Sequence, residues 1–158
     1  MSVAFRRESD EEHFEPRFEI PIPPGPNLVT QRGLALTRAR VAALEARLPT
    51  LDDETDIAVT RRDLRYWRTR LATAQLAPSP SGDMVEFGCR VRFRRDGTVR
   101  TITLVGDDEA DPAAGLLSFT APLSRALLHA EVGDLVAFGP GGDMLEVIDI
   151  DASGAAGD

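Results

Sequence analysis

The sequence predicts an α+β protein, with an antiparallel two-helix coiled coil followed by an antiparallel sheet that carries one short helix. Three observations carry this expectation. Apolar residues recur at alternating three- and four-residue spacings over 34–51 and again over 57–74, as in the seam of paired helices. From Val85 onward the period changes to two, the period of a half-buried strand. Between the two regimes, Ala77-Pro-Ser-Pro-Ser-Gly-Asp83 interrupts both.

Residues 1–29 combine acidic charge with five prolines, Pro16, Pro21, Pro23, Pro24 and Pro26, and show neither period. They read as a disordered tail followed by an extended Pro-rich segment. The alternative is an extended arm that docks Phe18, Ile20 and Ile22 on the folded part.

Thr30 can cap the first helix. Its seam is Leu34, Thr37, Val41, Leu44, Leu48 and Leu51, filled in with alanines that favour helix. Pro49 should end it near Arg47 or Leu48. The second helix is expected to start between Asp56 and Thr60, with Ile57, Leu64, Trp67, Leu71 and Ala74 on its seam and Trp67 as a core anchor. The coiled coil thus spans 30–77, and 78–84 form a linker.

In the remainder, Val85, Phe87, Cys89, Val91 and Phe93 alternate with polar residues as one strand. Asp96-Gly97 signals a tight hairpin into a return strand over 99–105. Gly106–Pro112 is a loop, 116–119 a short strand, and Pro122 opens a short helix running to about Ala130. Strands at 135–138 and 144–150 close a domain spanning 85–151, and 152–158 read as a disordered tail.

Charge excludes some classes and favours others. The net charge is −8 and the chain has no lysine. Residues 30–77 hold nine arginines against six acids, whereas 78–158 hold six against fourteen. Basic arms on an acidic base do not give the even positive field of a free DNA binder, and suit a protein partner better. No apolar run approaches the roughly 20 residues that a membrane span needs, and residues 1–10 lack the apolar core of a signal peptide. The single Cys89 cannot form an internal disulfide, so a reducing cytoplasm is expected.

The turn between the helices carries four carboxylates in five residues, Asp52, Asp53, Glu54 and Asp56. Like charges crowded this closely repel, so an acidic tip reads as a group that reaches something. Arg61, Arg62, Arg65 and Arg68 line a flank of the second helix, either as a solvated face or as a contact for RNA or an acidic protein surface. Asp107, Asp108, Glu109 and Asp111 lack the spacing of an EF-hand loop. The phenylalanines of the second part, Phe87, Phe93, Phe119 and Phe138, fit core positions. His13 and His129 stand alone.

Thr101-Ile-Thr-Leu-Val-Gly-Asp-Asp-Glu-Ala-Asp111, with Leu117-Ser-Phe-Thr-Ala-Pro-Leu-Ser-Arg-Ala-Leu-Leu128 and Glu131-Val-Gly-Asp134, resembles the C-terminal domain of the bacterial GreA/GreB transcript-cleavage factors. Leu28-Val-Thr-Gln-Arg-Gly33 and Ala72-Thr-Ala-Gln75 look like the opening and closing of that family's coiled coil. The resemblance implies an FKBP-like second domain and docking at the secondary channel of bacterial RNA polymerase. Thr120, Ala121, Pro122 and Arg125 would then contribute to the grip. It further implies an accessory factor rather than an enzyme, acting as a monomer with no cofactor of its own and touching nascent RNA only indirectly. Asp53 and Asp56 would assist catalysis in trans by sharing a Mg²⁺ ion with the polymerase, supported by Asp52 and Glu54.

This sequence departs from the family in three places. The helical arms are shorter, Asp56 stands where the family has Glu, and Ala121 precedes Pro122 where the family has Ser. Short arms and Ala-Pro are also similar to Rnk-type polymerase-binding regulators, which would occupy the channel without stimulating cleavage.

Overall fold

The computed structural model describes residues 18–155. The expectations for residues 1–17 and 156–158 lie outside the described residues. Two compact units result. One takes in 18–25 and 37–73, the other 26–36 and 74–155. This division differs from the expected one, because the first turn of the leading helix and the Pro-rich stretch after residue 77 both belong with the sheet.

The elements are β1 (Leu28–Val29), α1 (Gln31–Arg47), α2 (Glu54–Thr73), β2 (Gln75–Leu76), β3 (Arg90–Arg95), β4 (Thr98–Val105), β5 (Leu116–Ser118), α3 (Pro122–Leu127), β6 (Leu135–Phe138) and β7 (Asp143–Asp151). Thr30 caps α1 by accepting the Gly33 N–H at 2.9 Å. The helix ends at Arg47, and a 3₁₀ turn over Leu48–Thr50 accommodates Pro49.

In the helical unit the seam is mixed rather than wholly apolar. Val41 and Leu64 are buried together with Thr37, Thr60 and Arg70. Trp67 is not the buried anchor that its spacing suggested. It is half-buried, with the Arg40 guanidinium 5.0 Å from its ring centroid and Tyr66 edge-on at 5.1 Å. The ring keeps one face for a cation, a stabilisation that full burial would forgo. Outside the helices, Phe18 is 83% exposed and Ile22 is exposed, so neither is docked; Glu19 instead pairs with Arg65 at 2.7 Å.

In the other unit, β1 and β2 form a short parallel ladder, Leu28 opposite Gln75 and Val29 opposite Leu76, next to a five-stranded sheet of order β5-β4-β3-β7-β6. The β3–β4 hairpin closes on Asp96 (φ 50°) and Gly97 (φ 75°), the left-handed pair that a two-residue turn of this hand requires. The sheet is not wholly antiparallel, since β5 runs parallel to β4. The helical turns over 107–109 and 112–114 that lead into β5 provide the crossover.

Two further expectations are corrected. Val85 and Cys89 are buried, but they precede the strand, which begins only at Arg90. The backbone turns at Gly88 (φ 91°), so the alternation over 85–89 reflects a folded loop. Residues 152–155, expected to be disordered, form turns in which the Ala155 N–H donates to the Gly88 carbonyl at 3.1 Å.

The core lies between the inner face of the sheet and α3. Phe93, Leu104, Leu127, Leu145 and Val91 are fully buried, each worth roughly 1.5–3 kcal/mol of transfer free energy. Of the four phenylalanines expected in the core, only Phe93 is fully enclosed. Phe87 and Phe119 meet edge to face at 5.4 Å, and Phe138 lies under the Arg95 guanidinium at 5.2 Å.

Candidate functional site

The acidic turn is built by helix capping. α2 begins at Glu54, earlier than expected, because Asp53 serves as its cap: Asp53 Oδ2 accepts the Asp56 N–H at 3.1 Å, and the Ile57 N–H donates to the Asp53 carbonyl at 3.0 Å. Glu54 and Asp56 occupy the first turn, where the positive end of the helix dipole favours anions. The crowding of carboxylates therefore has a local stabilisation as well as any use. Asp52, Asp53, Glu54 and Asp56 are all exposed. Asp53 and Asp56 come together in one turn, as their spacing required.

The arginine flank is less open than its sequence implied. Arg62 bonds its neighbour Asp63 at 3.1 Å, Arg65 pairs with Glu19, and Arg68 meets Glu45 at 3.4 Å. Hydrogen bonding to Arg65 holds the Glu19 carboxyl below its ordinary value. Arg61 is exposed. Three of these four cations would have to exchange a carboxylate for any new anionic partner.

The third group precedes α3. The Ser118 and Thr120 hydroxyls both donate to Asp107 Oδ1, at 2.5 and 3.0 Å. Ala121 takes the cap position without a side-chain bond, and Pro122 fills the first turn, where a missing N–H costs nothing. Thr120, Pro122 and Arg125 are exposed and Ala121 is half-buried, so all four lie at or near the surface of one short segment.

Sequence reasoning missed Glu109. It is 8% exposed, and its carboxylate accepts from Thr30 Oγ1 at 2.5 Å and Arg32 Nη1 at 3.0 Å. A Cβ at Gly33 would lie 2.8 Å from Glu109 Oε1, so the small residue leaves room for the carboxylate. Gly106 is tighter still, with its Cβ position 2.3 Å from the Leu28 carbonyl oxygen. The acidic string over 107–111 thus binds other parts of its own unit. No local pattern marks this, because the partners stand nearly eighty positions away. Among the described residues, no three metal-ligating side chains cluster, and no helix is long and apolar enough to cross a membrane.

A helical unit ending in a capped acidic turn, together with a separate sheet unit bearing an exposed Pro-led helix, defines a two-unit α+β protein. Residues 79–152 match the family described as transcription elongation factor GreA/GreB, C-terminal. This segment, just under half of the chain, is similar to the C-terminal domain of the GreA/GreB family. The transcription elongation factor GreA of Desulfovibrio desulfuricans is 40% identical over 78 residues, 47% of this chain and 48% of that protein. GreA of Rhizobium etli is 43% identical over 65 residues, 39% of this chain and 41% of that protein. The chain spans about half the length, or less, of the curated relatives it matches. Among solved structures, the GreA factor homolog 1 (Gfh1) of Thermus thermophilus aligns with 80% of this chain and 99% of its own, at 19% identity and a TM-score of 0.38. The GreA/GreB factor of Nitrosomonas europaea aligns with 78% and 98%, at 19% identity and a TM-score of 0.40. Likeness this distant adds nothing to the assignment.

Proposed function

We propose that the chain is a transcription elongation factor that binds bacterial RNA polymerase at its secondary channel, acting as a monomeric accessory factor rather than an enzyme. The observation that carries this reading is the match of 79–152 to the GreA/GreB C-terminal family. In this reading the sheet unit is FKBP-like and grips the polymerase through Thr120, Ala121, Pro122 and Arg125. The helices form an antiparallel coiled coil that carries Asp53 and Asp56 inward, with Asp52 and Glu54 adding negative field. Nascent RNA is met only inside the polymerase.

The donor set fits a shared ion. Asp53 Oδ1 makes no hydrogen bond within the described residues, and the Asp56 carboxylate is exposed. Mg²⁺ accepts one or two carboxylates alongside water and phosphate oxygens, so this chain would supply part of a site and the polymerase the rest. When bound, the ion supplies a positioned, activated water. What the chain's own residues do is narrower. The cap bond holds Asp53 against the backbone of Asp56, which fixes the two carboxylates in one turn.

A second reading, channel occupancy without cleavage as in Rnk-type regulators, is favoured by one feature: α1 and α2 have only 17 and 20 residues, roughly 25 and 30 Å of rod. Backtracked polymerase with Mg²⁺ separates the readings. Release of a short 3′ RNA fragment, abolished by Asp53→Ala with Asp56→Ala while binding persists, supports cleavage. Binding without release leaves occupancy alone.

A further inference from the structure

The sheet unit contains a polar cleft of about 370 Å³ that none of the roles above uses. One wall is a cross-strand row. Leu116, Thr103 and Arg90 are register partners on β5, β4 and β3, so they share one face of the sheet, and Thr101 lies two residues along on the same face. Arg32, from the first turn of α1, and Glu109 complete the polar lining, while Gly115 and Gly154 leave the backbone open beneath.

Among the described residues, the charges lining this cleft are not balanced. Its carboxylate, Glu109, has a side chain only 3% exposed and is already engaged by Thr30 and Arg32. The Arg32 and Arg90 side chains are 42% and 49% exposed. Arg90 holds Asp151 and the Gly154 carbonyl only at 3.8 and 3.4 Å, which among the described residues leaves donors of its guanidinium fork unused. Thr103 is 6% exposed and lines the cleft. A cation would meet two guanidiniums here, whereas an oxyanion meets two cations and the Thr103 side chain.

We propose that this cleft binds a small phosphate oxyanion, of the phosphate or diphosphate class, held by Arg90 and Arg32 with Thr103 Oγ1 as a third donor. Arginine forks match phosphate oxygens two at a time. The volume lies at the small end of ligand pockets, which suits a free anion rather than a peptide.

The experiment is calorimetric titration of the full chain with inorganic phosphate and with pyrophosphate at constant ionic strength. The expected result is saturable one-to-one binding, tighter for pyrophosphate. Arg90→Gln weakens it about tenfold, as the loss of a charge-assisted bond predicts, and Thr103→Val about threefold. Arg100→Gln, outside the cleft, leaves it unchanged, and thermal unfolding of each variant confirms that it folds. The absence of saturable heat overturns the proposal. So does binding that survives both cleft substitutions, or that Arg100→Gln weakens equally, which would mark a diffuse surface charge.

Discussion

Thr30 donates its hydroxyl to Glu109 at 2.5 Å across 79 positions of the chain, while its own oxygen accepts the Gly33 N–H that starts α1. One threonine therefore caps a helix and ties that helix's first turn to the acidic string of the sheet unit. A buried carboxylate is tolerated because both of its oxygens are answered.

Glu109→Ala should destabilise the protein by roughly 2 kcal/mol, the range for losing a buried charge-assisted bond. Glu109→Gln should cost about half of that, since Arg32 is partly solvated and screens its own loss. Urea unfolding of the full chain measures both. Unchanged midpoints would mean the contact contributes nothing.

Gly106→Ala should cost about 2 kcal/mol or more, because the new methyl would meet backbone rather than a movable side chain. Gly97→Ala meets open space, and should lose only the roughly 1 kcal/mol of a left-handed residue. The ordering of the two variants is the check.

Ser124 is fully buried on α3, and its Oγ has no hydrogen-bond partner among the described residues. Ser124→Ala should therefore be neutral, or stabilising by up to about 1 kcal/mol, because a desolvated hydroxyl is removed. A loss of stability on denaturation would show that the hydroxyl is satisfied.

The Glu19–Arg65 pair predicts a pH effect. Hydrogen bonding to Arg65 lowers the Glu19 carboxyl below its ordinary 4.5. The contact's contribution is thus present above that value and is lost as pH falls through the lowered folded value. Titration of the Glu19 carboxyl carbon by NMR should show the depression, and Arg65→Ala should return it to ordinary. Equal titration in both proteins would contradict the pairing.

Much of this was legible locally. Thr30 as a cap, Pro49 as a helix end and Asp96-Gly97 as a hairpin are decided within a few residues, and the structure bears them out. What was not legible depends on distant chain. The role of Glu109 needs Thr30 and Arg32, and the half-buried Trp67 has the Arg40 guanidinium over its ring. The parallel β4–β5 pairing depends on turns whose sequence signals only a loop. At the tip, spacing found Asp53 and Asp56, but Asp53 caps a helix whether or not the pair has a further use.

In the proposed function the sheet unit docks on RNA polymerase through the segment before and within α3. Co-migration of the full chain with bacterial core polymerase on size exclusion tests it most directly. The account predicts a one-to-one complex, weakened about tenfold by Pro122→Ala with Arg125→Ala and unaffected by Asp53→Ala with Asp56→Ala, as expected when a few central residues dominate an interface. No complex, or one lost with the tip rather than with Pro122, would contradict it.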